Sequence, residues 1–430
     1  MDKDRKFIGP QICAVGINYS TTPISVRERV SIPKGQMQDA LASLRNYVSK
    51  GVILATCNRT EVYAVDDDSH SAEQSIREFL KDWASLSEDE LAPYLYAHHN
   101  YKAMRRLSKI SAGLYSMILG EHEILGQVRQ ALEDAEKAQM VNQPLRRLFQ
   151  SAISTGRRVR DETNISRNAL SVSSVAVDLA AKVTGDIHNC KVLLIGAGEA
   201  GKLVVRALAQ RGVSQISVTS RSLKSAQELV SVLGGNAIDI NEMRTEIAAA
   251  DIVISCTGSP HYVIHREFVE KAMSARPDRS LVIVDIAVPR DAEPEIGQIE
   301  GVFLYDIDDL NDVLGVNRDE REQEVAAALA IITAELEHLL SWWQTLEMQP
   351  TIRALMQMAE SVRQQQLNLT LKKLPPLSPE QQDNLEAMTK SIINKVLQNP
   401  IQCLRDNGHQ NGDFVQVVRD LFALDEPGSR

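Results

Sequence analysis

Apolar residues are distributed along this chain in three successive textures. Over residues 11–160, short apolar runs alternate with helical spacing. ICAVGI (12–17), GVILA (51–55) and VYAV (62–65) read as strands. Within 33–48, Met37, Ala40, Leu41 and Leu44 recur at helical intervals, and 71–85 and 100–112 read as helices. This predicts an α+β layout in which a small sheet carries the CNRT loop between two strands. Residues 121–183 read as mostly helical, with a break at Pro144 after Asn142.

A second texture begins near residue 191. KVLLIGAGEAGKLVVRALAQRG (191–212) is strand, glycine turn and helix; QISVTSRS (215–222), residues 251–256 and LVIVDIAVP (281–289) supply three more strands. Continuously apolar strands alternating with helices predict a parallel sheet covered on both faces. Beyond Tyr305, positions Val325, Leu329, Ile332, Leu336, Leu339, Trp343 and Leu346 repeat in steps of four and three, with no Pro or Gly over 316–349. Further helical patterns follow at 351–372 and 380–397, split by LPPLSP (374–379), and a last one near 413–424. Either an intramolecular helical bundle or a twofold dimer would use such a seam.

Composition changes this picture little. A chain of 430 residues is long enough for two to four domains, and 43% hydrophobic with 24% charged residues is ordinary for a globular protein. Five dispersed cysteines (Cys13, Cys57, Cys190, Cys256, Cys403) form no CxxC or CxxxH pair, against a disulfide framework or zinc site and for a reducing compartment. The N-terminus lacks an apolar signal region, no run of about 18 apolar residues stands out, and a cytoplasmic protein without membrane attachment is expected. A net charge of −10 argues against general coating of DNA or RNA. It leaves room for a local basic run at 145–167, with Arg146, Arg147, Arg157, Arg158, Arg160 and Arg167, either a solvated helix face or a phosphate-contacting patch.

Four motifs carry chemistry. LATCNRTEVY (54–63) puts Cys57 at a strand end two residues from Arg59, a setting that lowers a thiol's pKa. GAGEAG (196–201) fits the dinucleotide fingerprint in its proper strand–turn–helix context: Gly196 for the tight turn, Gly198 for close approach of a pyrophosphate, Gly201 for helix–strand packing. At the end of the next strand stands VTSRSLKSAQ (218–227), without a carboxylate; Ser220, Arg221, Ser222 and Lys224 suit a 2′-phosphate and favour NADPH over NADH. Cys256, in SCTGSP (255–260), reads as a packed thiol beside the cofactor strand. GEHEILGQVRQAL (120–132) crowds Glu121, His122 and Glu123 before an apolar turn, either an acid-rich helix start or a polar pocket for a substrate amine. His98 and His99 follow LYA at a loop-to-helix junction, as ordinary surface residues or as an acid–base group.

Taken together, these motifs in this order resemble glutamyl-tRNA reductases. The likeness runs end to end, through GINYSTTPISVRERVSI (16–32), LATCNRTEVY, AGLYSMILGEHEILGQV (112–128), RRVRDET (157–163), GAGEAGKLV (196–204), VDIAVPRDAEP (284–294) and YDIDDL (305–310). The resemblance implies an α/β multidomain chain. Its parts would be an α+β N-terminal catalytic domain (1–163), a Rossmann-type NADP-binding domain (164–305), and a long connecting helix with an all-α C-terminal dimerisation domain (306–430). It implies NADPH-dependent reduction of glutamyl-tRNA to glutamate-1-semialdehyde, the first committed step toward 5-aminolevulinate and tetrapyrroles. Cys57 would be the nucleophile and His98 the assisting histidine. Thr56, Asn58, Arg59, Ser116, Glu121, His122, Glu123 and Gln127 would bind substrate. Gly196, Ala197, Gly198, Glu199, Ala200 and Gly201, with Ser220, Arg221 and Lys224, would bind cofactor. No metal is implied. The partners implied are the charged transfer RNA, a second copy of the chain through the C-terminal helices, and an aminotransferase that receives the unstable aldehyde; DNA is not among them. The family often has E-P-Q or E-G-Q where this chain has Glu121-His122-Glu123, and G-L-D-S where it has Gly113-Leu114-Tyr115-Ser116.

The mechanism implied is displacement of the transfer RNA by the Cys57 thiolate to a thioester, which is then reduced. Because Cys57 and Gly196 fall on separate domains, hinges are expected near 164–170 and near Tyr305. A shikimate-type dehydrogenase of a free acid would explain the dinucleotide fingerprint but not the TCNR motif. A scaffold that senses NADPH would not need Cys57.

Overall fold

The computed structural model describes residues 10–66, 68–166, 171–310, 322–407 and 412–424, without the side chains of 322, 347, 405–407 and 412–414. Two compact units result: Ile12–Thr333, and Met1–Gln11 with Ala334–Arg430.

The larger unit holds two sheets. The first takes the order β2-β3-β1-β4, from β1 (Gln11–Asn18), β2 (Gly51–Thr56), β3 (Arg59–Asp66) and β4 (Tyr96–His99). β2 and β3 pair antiparallel from Gly51↔Ala64 to Thr56↔Arg59, so Cys57 and Asn58 are the two residues of a tight hairpin turn. β1 can lie against β3 because Gly16 has no side chain: a Cβ there would stand 2.3 Å from the Thr60 carbonyl oxygen. The β4 strand, sequence YAHH, is an edge strand pairing His98 with Ala14 and His99 with Cys13. It was read as a loop because half-buried tyrosine and histidine carry no apolar alternation. Helices α1 (Ile24–Val30), α2 (Met37–Leu44), α3 (Ser69–Ala84), α4 (Glu88–Leu91), α5 (Asn100–Ser111), α6 (Glu123–Lys137) and α7 (Gln143–Glu162) accompany this sheet. Pro144 opens α7 within its first turn, where its missing N–H costs nothing, and Asn142 caps the helix by accepting from the Leu145 amide.

The second sheet has six strands in the order β10-β9-β8-β5-β6-β7, with every pairing parallel. Its strands are β5 (Val192–Ile195), β6 (Ile216–Thr219), β7 (Asn236–Ile238), β8 (Ile252–Ser255), β9 (Leu281–Asp285) and β10 (Val302–Asp306). Counted within the domain the order is 3-2-1-4-5-6, that of the dinucleotide-binding doubly wound fold. Separate apolar clusters cover its two faces, one around Leu194, Val204 and Ile254, the other around Leu193, Val253 and Ile283. Helices α8 (Val172–Thr184), α9 (Glu199–Gln210), α10 (Leu223–Leu233), α11 (Met243–Ala249) and α12 (Arg266–Ser274) supply both layers. Four of these strands were legible in the sequence. The other two are the outer ones: β7 is three residues long, and β10 is mostly half-exposed, so neither shows a buried strand's continuous apolarity.

The long helix α13 (Glu322–Leu371) passes without interruption through Pro350, where the sequence predicts a new helix after residue 350. Likewise α14 (Pro379–Asn407) contains Pro400, and α15 (Gly412–Leu421) follows. A proline removes one hydrogen bond, which the turns on either side of a long helix can outweigh. Ile332, Leu336, Leu339 and Trp343 of the heptad seam are buried, and the Trp343 indole donates to the Pro10 carbonyl at 2.7 Å. One 18-residue window within 323–371 has a mean hydropathy of 1.4, long and apolar enough by composition to cross a membrane. Acids interleave its apolar positions, and 22% of the window is buried. Leu355, Ala359 and Leu397 form a small core within the C-terminal unit. Val362, Met388, Ile392 and Val396 remain at least half exposed.

Candidate active site

The hairpin turn sets the site. Its Asn58 amide donates to Thr56 Oγ1 at 3.1 Å, and the Tyr19 amide donates to the Asn58 carbonyl at 2.9 Å, tying the turn to the end of β1. Cys57 is half-buried, and its carbonyl accepts from Arg27 Nη1 at 3.1 Å. Burial pushes the thiol up to about 12; the Glu121 and Glu123 carboxylates push the same way and Arg27 opposes them. The cation acting on the thiol is thus Arg27 and not Arg59, the neighbour that the sequence suggests.

Arg59 is committed elsewhere. It is buried, pairs with Glu61 at 3.3 Å and donates to the Tyr115 carbonyl. Glu61 is fully buried and accepts from Tyr63 at 2.6 Å, Tyr96 at 2.8 Å, and Arg106 at 2.9 and 3.2 Å. Burial opposes its ionisation, but Arg106 and Arg59 outweigh burial and hold the carboxyl down to about 2. The Arg106 guanidinium also lies over the Tyr96 ring, 4.0 Å from its centre, and 5.3 Å from that of Tyr115. Neither Glu61 nor Arg106 stood out as a site residue in the sequence. The available signal was an acid inside the otherwise apolar strand EVYAV. Within this shell the Asn58 Oδ1 and Arg59 Nε atoms are buried without a hydrogen-bond partner.

The GEHE corner closes the pocket. Gly113 and Gly120 both take positive φ, +77° and +78°, and a Cβ at Gly120 would stand 2.1 Å from the Ile165 carbonyl oxygen. Arg160 holds the corner from below, donating to the Ser111 carbonyl at 2.7 Å and the Glu121 carbonyl at 2.9 Å. Burial raises Glu121, while the Ser116 hydroxyl, Arg59 and Arg160 pull the other way. Burial also raises Glu123, helped by Glu121 and by Glu199 of the glycine loop. Glu123 thus lies close enough to feel the charge of Glu199 at the start of α9 and to act on Cys57. Gln127 lies one helical turn beyond Glu123 and is half-buried; His122 is exposed.

The structure brings Cys57, Asn58, Arg59, Ser116, Glu121 and Glu123 together. It sets His98 apart: its strand partner is Ala14, four residues before Asn18, or about 14 Å of strand from the end that meets the turn. Burial lowers the pKa of His98, and Arg106 adds to the effect. His99 instead contacts Glu73 at 2.8 Å, with His70 beside it. His70, Glu73 and His99 offer three ligand atoms within 4.8 Å, a grouping that dispersed sequence positions conceal. Glu73 is already shared between His99 and Arg77, at 2.8 and 2.7 Å, as in a satisfied ion pair.

The fingerprint loop has the expected form. Gly196 takes φ +117°, and a Cβ there would stand 2.9 Å from the Cys256 carbonyl oxygen. At Gly201 a Cβ would stand 2.2 Å from the Gly196 carbonyl oxygen, whereas at Gly198 it would meet nothing within 4 Å. Two glycines are therefore required by packing, and the third faces open space where a pyrophosphate can approach. Ala197 and Ala200 pack against the core, and Glu199 opens α9 paired to Lys202 at 2.7 Å. At the end of β6, Ser220 donates to the Ser222 carbonyl, Arg221 is exposed, and Lys224 leans toward Glu228 at 3.8 Å. The residues present fit a dinucleotide with an anionic group near Arg221.

The basic run largely resolves into ion pairs: Arg146 with Glu136 at 2.8 Å and Arg158 with Glu162 at 2.6 Å, while Arg160 turns inward. Arg147 and Arg157 are exposed; Arg167 and the rest of 167–170, the larger part of the hinge expected near 164–170, lie outside the described residues.

Three family descriptions match in sequence. Residues 15–163 match the N-terminal domain of glutamyl-tRNAGlu reductase, 178–313 match shikimate / quinate 5-dehydrogenase, and 327–424 match the glutamyl-tRNAGlu reductase dimerisation domain. The chain is 40% identical to a glutamyl-tRNA reductase of Pelotomaculum thermopropionicum, covering 97% of this chain and 95% of that protein. To that of Bacillus subtilis it is 38% identical, covering 97% and 93%. The solved glutamyl-tRNA reductase of Methanopyrus kandleri is 32% identical and superimposes with a TM-score of 0.50, covering 96% of this chain and 99% of that one. These matches span nearly the whole chain, and the chain belongs to the glutamyl-tRNA reductase family of oxidoreductases in the C5 route to tetrapyrroles.

Proposed function

We propose that this chain reduces the glutamyl ester of transfer RNA to glutamate-1-semialdehyde through a thioester on Cys57. The observation that carries the reading is the turn itself: a cysteine beside buried polar atoms with unmet hydrogen bonds, Asn58 Oδ1 and Arg59 Nε, and facing Glu121 and Glu123. A glutamyl group brings a carboxylate and an ammonium, the charges that Arg59 on one side and the two acids on the other complement.

Substrate binding then bears on reactivity. An ammonium between Glu121 and Glu123 neutralises the two charges that add to burial in holding the thiol high, and leaves Arg27 opposed by burial alone. The Cys57 thiolate attacks the ester carbonyl, a C–S bond forms, the acyl C–O bond breaks, and the ribose oxygen leaves with a proton taken from solvent. His98 stands too far along the sheet to exchange a proton with the thiol, or with the ribose oxygen, which is bonded to the very carbon the sulfur attacks; an acid–base role for it would require the turn to move. A bound reduced nicotinamide would supply hydride, for which NADPH is favoured because Arg221 stands where an acid would select NADH. The thioester, on receiving hydride, would become a hemithioacetal on Cys57, whose C–S bond would break to release aldehyde and return the thiolate to the turn. Gly198 and Arg221 would hold the dinucleotide, and the acceptor end of the charged transfer RNA would reach Cys57 past the exposed His122. The half-exposed Val362, Met388, Ile392 and Val396 suit burial against a second copy in a homodimer.

Single-turnover incubation with glutamyl-tRNA, without NADPH, tests this by intact-protein mass. A glutamyl adduct on the wild type that NADPH discharges, and that Cys57→Ser lacks, is the expected outcome. Reduction without an adduct would make Cys57 a pocket residue. Activity on free acids instead would favour the shikimate-type reading.

A further inference from the structure

Arg27 belongs to the N-terminal domain, yet its guanidinium has three partners from three places. Nε donates to the Thr22 carbonyl at 3.2 Å, Nη1 to the Cys57 carbonyl at 3.1 Å, and Nη2 pairs with Asp308, 281 residues away, just beyond β10. Arg27 is 2% exposed, so these bonds replace all its hydration. Its neighbour Glu28 takes Arg290 in a bidentate pair at 2.6 and 3.1 Å and also accepts the Arg290 amide at 2.9 Å. Arg290 follows β9. Two consecutive residues of α1 thus clamp the ends of two adjacent strands of the nucleotide-binding sheet, and the first of them also grips the nucleophile's own backbone.

We infer that Arg27 is a positioning residue that couples seating of the nucleotide-binding domain to presentation of Cys57. The fork geometry accounts for this. A guanidinium offers donors in a fixed plane, so its hold on Asp308 fixes the direction of its bond to the Cys57 carbonyl. Arg27 is also the cation that favours the Cys57 thiolate, against Glu121 and Glu123, and Asp308 partly neutralises it. With Asp308 engaged, the turn is fixed and the cation shared. With the clamp released, the cation acts more fully on the thiol but the cofactor's domain is no longer held against it. The inference rests on the proposed role of Cys57 as nucleophile, but its test does not.

The measurement is the rate of Cys57 alkylation by iodoacetamide, followed by peptide mass mapping on the full-length protein, alongside reductase kcat and KM. Asp308→Asn should raise the Cys57 alkylation rate several-fold while lowering kcat about tenfold, with fully buried Cys13 alkylated no faster than in wild type, whereas general loosening of the domain would expose both thiols. Arg27→Gln should lower both, and Arg27→Lys should recover alkylation more than kcat, since a lysine keeps the charge but not the fork. If Arg27→Gln fails to fold, Arg27→Lys and Asp308→Asn decide. Alkylation within twofold of wild type in both, or alkylation and kcat falling together in Asp308→Asn, overturns the inference. Loss of kcat in these variants with a fully active Cys57→Ser would instead overturn the thioester reading and leave the coupling standing.

Discussion

Cys57 and Cys256 invite comparison. Each follows a strand of a sheet, each is half-buried, and burial raises the pKa of each thiol. Around Cys256 everything pushes one way: after burial, the Asp291 and Asp285 carboxylates disfavour the thiolate, and the Sγ contacts the Gly196 carbonyl at 3.6 Å. Around Cys57 the influences are divided, because Arg27 opposes burial and two acids that a cationic ligand can neutralise. The difference teaches that a resting thiol with a high pKa is not by itself inert. What matters is whether the opposing charges can be cancelled by substrate. Cys256 shares its surroundings with the glycine loop's own packing, which no ligand relieves.

The strongest way to break this contrast is to remove each sulfur. Cys57→Ser should lower reductase kcat by at least about a thousandfold, since a hydroxyl without an adjacent base is a poor nucleophile. Cys256→Ser should stay within about fivefold of wild type under the same steady-state assay. A comparable loss in both would mean that Cys57 and Cys256 do related work and that the contrast drawn from their neighbours is empty.

Next in size is the floor of the Cys57 pocket. Glu61, itself fully buried, balances buried Arg59 and partly buried Arg106 beneath the turn. Glu61→Gln leaves both guanidinium groups uncompensated and should destabilise the protein by about 3–5 kcal/mol in chemical denaturation. A loss below about 1 kcal/mol would mean that water reaches the floor, and Arg59 would no longer be confined near the turn. On the other side of the comparison, Arg221→Ala should lower the preference for NADPH over NADH by about tenfold to a hundredfold, the worth of one charge-assisted hydrogen bond. Ratios of kcat/KM for the two cofactors measure it, and an unchanged ratio would reassign the selectivity to Ser220 or Lys224.

These residues also mark what a sequence makes legible. The Cys57 turn, the GAGEAG loop and the Glu121–Glu123 corner are short contiguous strings whose chemistry follows from residue type and spacing. Glu61, Arg106 and Arg27 act through partners far along the chain, up to 281 positions for Arg27 and Asp308, and single-sequence spacing contains no trace of such pairs. The fold divides along the same line. Buried central strands announced themselves by continuous apolarity, whereas β4, β7 and β10, all at or next to a sheet edge, lack that signal. His98 shows the cost: without β4 and its register, its separation from the Cys57 turn could not be read.

The smallest expected effect is also the finest probe of the contrast. With its thiol at about 12, unliganded Cys57 has a thiolate fraction that rises tenfold per pH unit throughout the range from 7 to 9. Its alkylation rate should follow without a plateau. Glu121→Gln removes one of the anions that raise the thiol, so the sign is fixed: the pKa falls and alkylation at any given pH speeds up, by several-fold. The same change should slow glutamyl-tRNA reduction, because the substrate ammonium loses a partner. A thiol whose opposing charges a ligand can reach answers to Glu121; Cys256, held by burial and by Asp291 and Asp285, does not. A plateau below pH 8 in the wild type would mean that Arg27 already outweighs the acids, and the substrate would then have no part in freeing the nucleophile.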